Sequence, residues 1–493
     1  MDQLSEFIIE IQQIFLGLVI LGFSISIYHE RDLIRSKISS SSKQFLGLIL
    51  VCCSVGLTAN FVEGLGQAGV LYAIEFALLI TMSLLGPKYA VSLFIYMLLS
   101  RPWEVLDNAL VETMPRDLFY LTIVVIFGYK LIKKDLSFRF NLGSVIIGFL
   151  TAWVFLSAFF SSNQALAISK FGEIFMKGVI VFFLIQNGFE KGKDLVVAKM
   201  TVILAICEKS AISFYQGHLN SLNSLAMEGD QFQRLESVGI LSNSNDIAAI
   251  FILALPFILF FVLKSKLKPF NWILTVIAGG IMSYLVWKSQ SRGAMLALVF
   301  TGASYFFLQI KSRKAVVNLV ASAIILSFGS FALMKREAAD LEGSTNNRII
   351  FWKAGANMAV RNPVFGVGFW GFNENFAGYA IDGDTGTEGT HMTAHSSWVQ
   401  ILAETGFMGL FLFLFLWLYA MKRAYSIRKL EPEYFMSLVG YGVTISFLSH
   451  AYLLFPYILC ALAITQASLK ENRIKDKEEQ IANFLPCRRV YAS

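Results

Sequence analysis

Long apolar runs, separated by short polar breaks, constrain this chain more than any other feature of its sequence. Apolar residues make up 56% of the 493 residues and charged residues 15%, whereas an ordinary soluble protein has about 25% charged residues. A helix needs about 20 consecutive apolar residues to cross a bilayer. The sequence therefore excludes a soluble globular enzyme and predicts an all-α polytopic membrane protein.

The apolar runs predict up to 15 membrane-spanning helices. Proline interrupts the helical hydrogen-bond ladder, so the runs at 70–86 and 88–100, which meet at Pro87, are either two helices or one broken element. We therefore expect 13 to 15 transmembrane helices. The candidates lie at 7–28, 45–62, 70–86, 88–100, 117–132, 142–160, 174–187, 195–215, 244–263, 270–287, 293–310, 315–334, 398–421, 434–451 and 454–468.

Basic residues are distributed unevenly between the two sides of this predicted bundle. Cytoplasmic loops retain Lys and Arg, because moving these residues across the membrane is unfavourable. With the N-terminus outside, the inside segments hold 27 Lys and Arg and the short outside segments hold 6. This contrast places two long segments, 216–243 and 335–396, outside the cytoplasm. It also accounts for the net charge of +7, so the basic surplus predicts no nucleic-acid partner.

The outside segment 335–396 is long enough to carry chemistry, and its residues indicate order. A Thr-Asn pair at 345–346 is a suitable N-cap for a helix over 348–360, and the Asn-Pro pair at 362–363 would end that helix. Three glycines among four aromatic residues over 365–372 predict a tight aromatic loop at the membrane interface. We therefore expect a partly helical extracytoplasmic loop domain.

Two outside arginines are candidate ligands for an anion. Arg292 stands between two predicted helices, and Arg234 lies in the segment 216–243. A guanidinium group presents a rigid fork of donors that matches phosphate, and the Ser and Asn residues over 242–245 supply a helix N-terminus, which also attracts anions. The alternatives are an interfacial Arg292 that snorkels to the membrane surface and a surface ion pair between Arg234 and Glu236.

His395 stands where the outside loop meets an apolar helix. Histidine accepts a proton near neutral pH, so His395 is a candidate general base toward a hydroxyl; the alternative is a solvated loop histidine. A divalent-metal site formed by His391 and His395 is also open, although this spacing suits two ligands only in a helix. Upstream glycines favour a loop. The acidic residues that would complete such a site are Asp382, Asp384 and Glu388.

In combination, these elements resemble the bacterial O-antigen ligase and polymerase superfamily of polytopic glycosyltransferases. The family pattern of Arg, three residues and Leu is met from Arg292 to Leu296, and the pattern of His, ten residues and Gly is met from His395 to Gly406. The resemblance covers roughly residues 230–425. Further matching residues are Arg234, Gly239, Asn245, Asn347, Arg348, Trp352, Pro363, Gly366 and Gly368.

The resemblance implies a GT-C-like, metal-independent, inverting glycosyltransferase of the bacterial inner membrane with its active site facing the periplasm. Without a cofactor, it would move a glycan from undecaprenyl pyrophosphate to the hydroxyl of a glycan, lipid or protein acceptor, while the polyprenyl tail lies between helices and membrane lipid. Arg234 and Arg292 would hold the pyrophosphate, and His395 would take the acceptor proton. Arg348 is implied as a further substrate contact, and Glu404 as a support for His395 or for the loop.

The sequence leaves other functions open. Within the superfamily, a polymerase would join lipid-linked repeat units of O-antigen or exopolysaccharide. A transporter or flippase of an anionic lipid-linked substrate belongs to another class, and it often shows related halves, which are not found in this sequence. A non-enzymatic scaffold for envelope assembly is a third alternative.

The same observations predict three parts of the chain. Residues 1–200 form an N-terminal transmembrane bundle without an assigned role. Residues 201–470 form the O-antigen ligase-like catalytic membrane domain, which includes the outside segments 216–243 and 335–396. Residues 471–493 form a basic cytoplasmic tail.

Overall fold

The fold is that of a computed structural model, which describes residues 3–37, 77–101, 109–226, 243–264, 271–310, 338–380 and 392–484, with scattered positions over 312–326. Across these ranges the regular elements are helices, and no strand occurs. The predicted all-α membrane fold is confirmed. The candidate helix at 45–62 and most of the one at 315–334 lie outside the described residues.

Most of the helices occupy apolar runs identified in the sequence. They are α1 (Gln3–Lys37), α2 (Pro87–Ser100), α3 (Ala109–Ile132), α4 (Leu142–Ala158), α5 (Gln164–Lys170), α6 (Met176–Gly188), α7 (Leu195–Ala226), α8 (Ser244–Leu263), α9 (Asn271–Lys288), α10 (Arg292–Gln309), α11 (Ala338–Arg361), α12 (Phe372–Tyr379), α13 (Ser397–Ser426), α14 (Glu433–Ile445) and α15 (Leu454–Phe484). A π-helical turn, Phe171–Phe175, joins α5 to α6. Since α15 runs to Phe484, the predicted tail begins as helix.

Local sequence signals explain where several helices begin. A helical stretch at 77–83 precedes a turn, and Pro87 occupies the start of α2, so the two runs that meet there form separate helices. Proline is favoured at this position because the missing N–H has no helical acceptor. At the start of α4, the Asn141 side chain accepts from the Ser144 backbone N–H at 3.2 Å, and the Ser144 hydroxyl accepts from the Asn141 N–H at 3.2 Å.

Three of the described helices are long and apolar enough to cross a membrane. The spans are Glu10–Ile27, Ser244–Leu263 and Ser397–Ser426, and the shorter helices α2 and α4 are also apolar. A helix of about 20 apolar residues is long enough to cross the hydrocarbon core of a bilayer. The total of 13 to 15 spans remains a prediction from the sequence.

The helices pack around one large apolar core. Helix α8 contacts α7, α9, α10 and α14, and the pairs α10–α14, α2–α7, α6–α15 and α4–α13 pack closely. The core continues from the N-terminal helices to α15. Residues at the starts of α8 and α10 and at the end of α14 line one cleft. Ser397 at the start of α13 donates to the Leu448 carbonyl at 2.6 Å, so all four helix ends lie at the same end of the molecule.

The loop domain between α10 and α13 has a smaller core of its own. Phe351, Met358, Phe372 and Phe376 pack together there. The predicted helix start at 345–346 is wrong, because α11 already begins at Ala338. The preceding Ala, Leu and Glu residues favour helix, and they carry it through the expected cap. The predicted end is confirmed, since α11 stops at Arg361, before the Asn-Pro pair.

A buried ionic cluster ties the other end of the bundle together. Lys199 of α7 donates to Glu431 at 2.9 Å and to Glu433 at 3.2 Å. Glu433 also accepts from Lys264 at 3.0 Å, and Lys470 lies 3.1 Å from Glu431. Burial alone would raise the pKa of Glu431, but Lys199 and Lys470 outweigh it and hold that pKa below its ordinary value. The cluster therefore joins α7, α14, α15 and the residue after α8.

Candidate functional site

The first wall of the candidate site is the tight turn between α9 and α10. Helix α9 ends at Lys288, and α10 begins four residues later with Arg292. Gln290 has a positive φ of 51°, which is uncommon for a residue other than glycine. The Ser291 side chain caps α10 by accepting from the Ala294 N–H at 3.4 Å. This turn places the half-buried Arg292 at a helix N-terminus, where backbone donors already favour anions.

The second wall is the start of α8. The Asn243 side chain caps this helix by accepting from the Asn245 N–H at 2.8 Å. Asp246 follows in the first turn, where the helix dipole favours a negative side chain. The Asp246 side chain is 23% exposed, and its Oδ1 lies 2.9 Å from Nε2 of His450. A carboxylate therefore stands beside the two helix N-termini.

His450 lies in the short connection between α14 and α15 and is 2% exposed. Its Nδ1 lies 2.8 Å from the hydroxyl of Tyr441, and its backbone N–H donates to Ser397 Oγ at 2.8 Å. Because a carboxylate only accepts hydrogen bonds, we assign the Nε2 proton to the bond with Asp246, which leaves Nδ1 to accept from Tyr441. The ring is thus fixed on both nitrogens.

A small, partly open cleft lies where these elements meet. It lies between the starts of α8 and α10, the middle of α11 and the end of α14. Polar groups and one guanidinium group share its wall with apolar side chains. The lining residues are Asn245, Ser291, Gly293, Ala294, Arg348, Thr444, Phe447 and Leu448. Arg292 stands between two of these residues, so two arginines belong to this part of the molecule.

His395 lies immediately before α13, beside the same region. Its ring centroid is 5.6 Å from that of Phe351 on α11, less than one turn after Arg348. The backbone of His395 has a positive φ of 46°. Such a conformation costs on the order of 1–2 kcal/mol in a residue other than glycine, and it persists where the surrounding structure imposes it. Within the described residues, no hydrogen bond is found to either ring nitrogen.

The surroundings of His395 lower the pKa of its imidazole below the ordinary value of 6.5. Burial is the main cause, and the positive charge of Arg348 acts in the same direction. The Asp246 carboxylate opposes both effects. At neutral pH the ring is therefore uncharged and able to accept a proton.

Glu404 lies in the interior of the loop domain rather than beside the imidazole. Its Oε1 accepts from the backbone N–H of Phe372 at 3.1 Å. Two further bonds join the same loop to α13: Val367 N donates to the Ala403 carbonyl at 2.9 Å, and Phe407 N donates to the Pro363 carbonyl at 3.0 Å. Of the two supports expected of Glu404, these contacts favour bracing of the loop.

The sequence-predicted residues thus fall into three groups. Arg292, Arg348 and His395 lie in or beside the region of the cleft. Glu404 supports the loop. Arg234 lies outside the described residues, as do His391 and the three acidic residues of the alternative metal site. Among the residues described, no group of three or more His, Cys, Asp or Glu side chains is placed to bind a metal ion.

Sequence reasoning missed Asp246, His450 and Tyr441. Asp246 and His450 are separated by 204 positions in the chain, so no local pattern links them. The sequence did contain one indication. Asp246 and His450 are ionisable residues at the outer ends of apolar runs, where burying such residues is unfavourable and they are often functional. The predicted topology also placed both ends on the same side of the membrane.

Comparison with known proteins connects part of the chain to a family. A search of curated proteins found no match to the chain. The family model described as O-antigen ligase matches residues 277–414. This range includes Arg292, Arg348 and His395, and it indicates a glycosyltransferase-type membrane enzyme. The match supports, over residues 277–414, the resemblance to the O-antigen ligase and polymerase superfamily that the sequence shows.

Proposed function

We propose that the protein transfers a glycan from a polyprenyl pyrophosphate to an acceptor hydroxyl, with inversion and without a metal ion. The observation that carries this proposal is the cleft at which the starts of α8 and α10 meet Arg348. Arg292 is the first residue of α10, and the His395 ring lies against Phe351 of α11. The donor is undecaprenyl pyrophosphate-linked glycan, and the reaction takes place on the periplasmic face of the bacterial inner membrane.

The positive groups of the cleft act on the leaving group. As the bond between the anomeric carbon and the phosphate oxygen breaks, negative charge develops on the pyrophosphate. Fixed donors that point at this charge stabilise the transition state more than the ground state. Arg292 and Arg348 supply guanidinium groups, the N-termini of α8 and α10 supply backbone donors, and Arg234 is the further ligand implied by the family pattern.

His395 acts as the general base. Its neutral imidazole takes the proton of the acceptor hydroxyl as the oxygen attacks the anomeric carbon from the face opposite the pyrophosphate. One displacement on that face inverts the anomeric centre. The depressed pKa suits this role, because the ring is uncharged over the neutral range.

The test compares alanine variants of the protein, purified and supplied with lipid-linked glycan and acceptor. We expect transfer to fall about 100- to 1,000-fold in Arg292→Ala, by analogy with removal of one transition-state donor. In His395→Ala we expect a loss of about 100- to 10,000-fold. Arg428→Ala is the matched control, because this arginine stacks on Tyr425 at the surface, with 3.9 Å between its Cζ and the ring centroid.

Wild-type rates in both Arg292→Ala and His395→Ala, with both proteins folded, would contradict the proposal. Movement of the lipid-linked glycan across liposomes without any transfer would favour the transporter instead. Extension of a second lipid-linked unit in place of another acceptor would identify a polymerase.

A further inference from the structure

A buried polar chain beside the cleft has no role in the reaction described so far. It runs from Tyr441 through His450 to Asp246, with spacings of 2.8 and 2.9 Å. Tyr441 is fully buried and His450 is 2% exposed. Burying such groups is unfavourable unless their hydrogen bonds are satisfied. Here each donor meets an acceptor, and the one end of the chain that reaches a partly open surface is the Asp246 carboxylate.

The hydrogen-bonded series Tyr441–His450–Asp246 is attached to the same helices that hold His395. Ser397 Oγ accepts from the His450 N–H at 2.8 Å and donates to the Leu448 carbonyl at 2.6 Å. Ser397 begins α13 and lies two residues after His395, while Leu448 lines the cleft. Asp246 itself follows Asn245, another lining residue. The carboxylate and the imidazole are therefore held by one shared set of contacts.

The negative charge of Asp246 can offset the positive charge near His395. An arginine suits a pyrophosphate, but the positive charge of Arg348 on α11 disfavours a protonated His395 imidazole. His395 is also desolvated, and the carboxylate that opposes these effects is Asp246 on α8. His450 and Tyr441 face Asp246 from α14 and the connection that follows it. A site that binds an anion and uses a histidine base needs such a counter-charge.

We propose that Asp246, held in place by His450, is a positioning residue that stabilises the imidazolium of His395 during transfer. The inference rests on the proposed function. In the step, the acceptor oxygen forms a bond to the anomeric carbon, and its proton moves to His395. The bond from that carbon to the pyrophosphate oxygen breaks, and its electron pair leaves with the pyrophosphate. Asp246 takes no proton in this step.

The test is the pH dependence of transfer in Asp246→Asn. Without the carboxylate, His395 is a weaker base, so the acid limb of the pH–rate profile should move to lower pH by about one unit. The rate on the plateau should fall about tenfold or more. Asp246→Glu should restore the position of the limb in part. Glu190→Gln, a surface carboxylate paired with Lys133 at 2.5 Å, is the control and should leave the profile unchanged.

If Asp246→Asn transfers glycan too slowly to assay, the pKa of His395 can be measured directly instead. The protein contains five histidines, so NMR of histidine-labelled protein, with the His395 signal assigned by its loss in His395→Gln, reports the titration directly. A lower midpoint in Asp246→Asn supports the inference, and an unchanged midpoint overturns it. If His395→Gln itself transfers at the wild-type rate, the general base of the proposed function fails. If His395→Gln loses transfer but the His395 midpoint in Asp246→Asn is unchanged, only the positioning role of Asp246 is overturned.

Discussion

At the scale of single residues, backbone strain and charge both single out the cleft. Gln290 and His395 have positive φ values of 51° and 46°, and each stands directly before the cap of a helix that borders the site. Strain of this kind is retained where surrounding contacts impose it and is common at functional sites. The local sequence signalled Arg292 and His395, because charged residues at the ends of apolar helices are conspicuous. The local sequence did not indicate the positive φ values of Gln290 and His395.

The pH dependence of the wild-type reaction follows from the state of His395. A base is active when unprotonated, so transfer should be constant over the neutral range and should fall as the pH drops through the pKa of this group. Burial and Arg348 lower that pKa, which places the midpoint of the acid limb below pH 6.5. The measurement is the initial transfer rate from pH 5 to 8. A midpoint above 6.5 would mean that another group controls the rate.

At the scale of elements, the loop domain depends on a kink in α13. Gly406 has a positive φ of 70°, and a β-carbon at this position would collide with the carbonyl oxygens of Pro363 and Val364. The sequence pattern marked Gly406 through its spacing from His395, and the Asn-Pro pair marked the end of α11. The start of α11 was missed because adequate helix formers continue upstream of the expected cap.

Gly406→Ala should therefore destabilise the protein by about 2 kcal/mol or more, since left-handed strain and the collision add. Gly302→Ala is the control, because a β-carbon there meets nothing within 4 Å inside a regular helix; alanine should be neutral or slightly stabilising. Thermal unfolding in detergent measures both. Equal melting temperatures in the two variants would show that the kink is not required.

At the scale of the whole molecule, the bundle separates a polar cleft from an ionic cluster. Helix α8 begins at the cleft and ends beside Lys264, and its 20 residues span about 30 Å. The sequence predicted these helices, because hydropathy is a local property. It did not predict which ionisable residues meet. Lys199 pairs with Glu431 across 232 positions, and such pairings depend on the packing of the complete bundle.

Lys199→Met tests the role of the ionic cluster. Removing the ammonium group leaves Glu431 and Glu433 buried with less compensation, and loss of one partner from a buried pair costs about 3–5 kcal/mol. Lys133→Met is the control, since its pair with Glu190 is exposed and should contribute no more than about 1 kcal/mol. Chemical or thermal unfolding measures stability, while transfer per folded molecule should stay the same. A large loss of transfer by folded Lys199→Met would link the cluster to catalysis.

The central claim is that fixed positive charge, rather than a metal ion, stabilises the departing pyrophosphate. The most direct test is the transfer rate of purified wild-type protein in excess chelator and across a titration of Mg²⁺, with Arg292→Ala measured in parallel. If arginines stabilise the leaving group, the wild-type rate should be indifferent to chelator and to added Mg²⁺, and the Arg292→Ala rate should be low under every condition. A wild-type rate abolished by chelator and restored by a divalent cation would show that a metal ion stabilises the departing pyrophosphate instead.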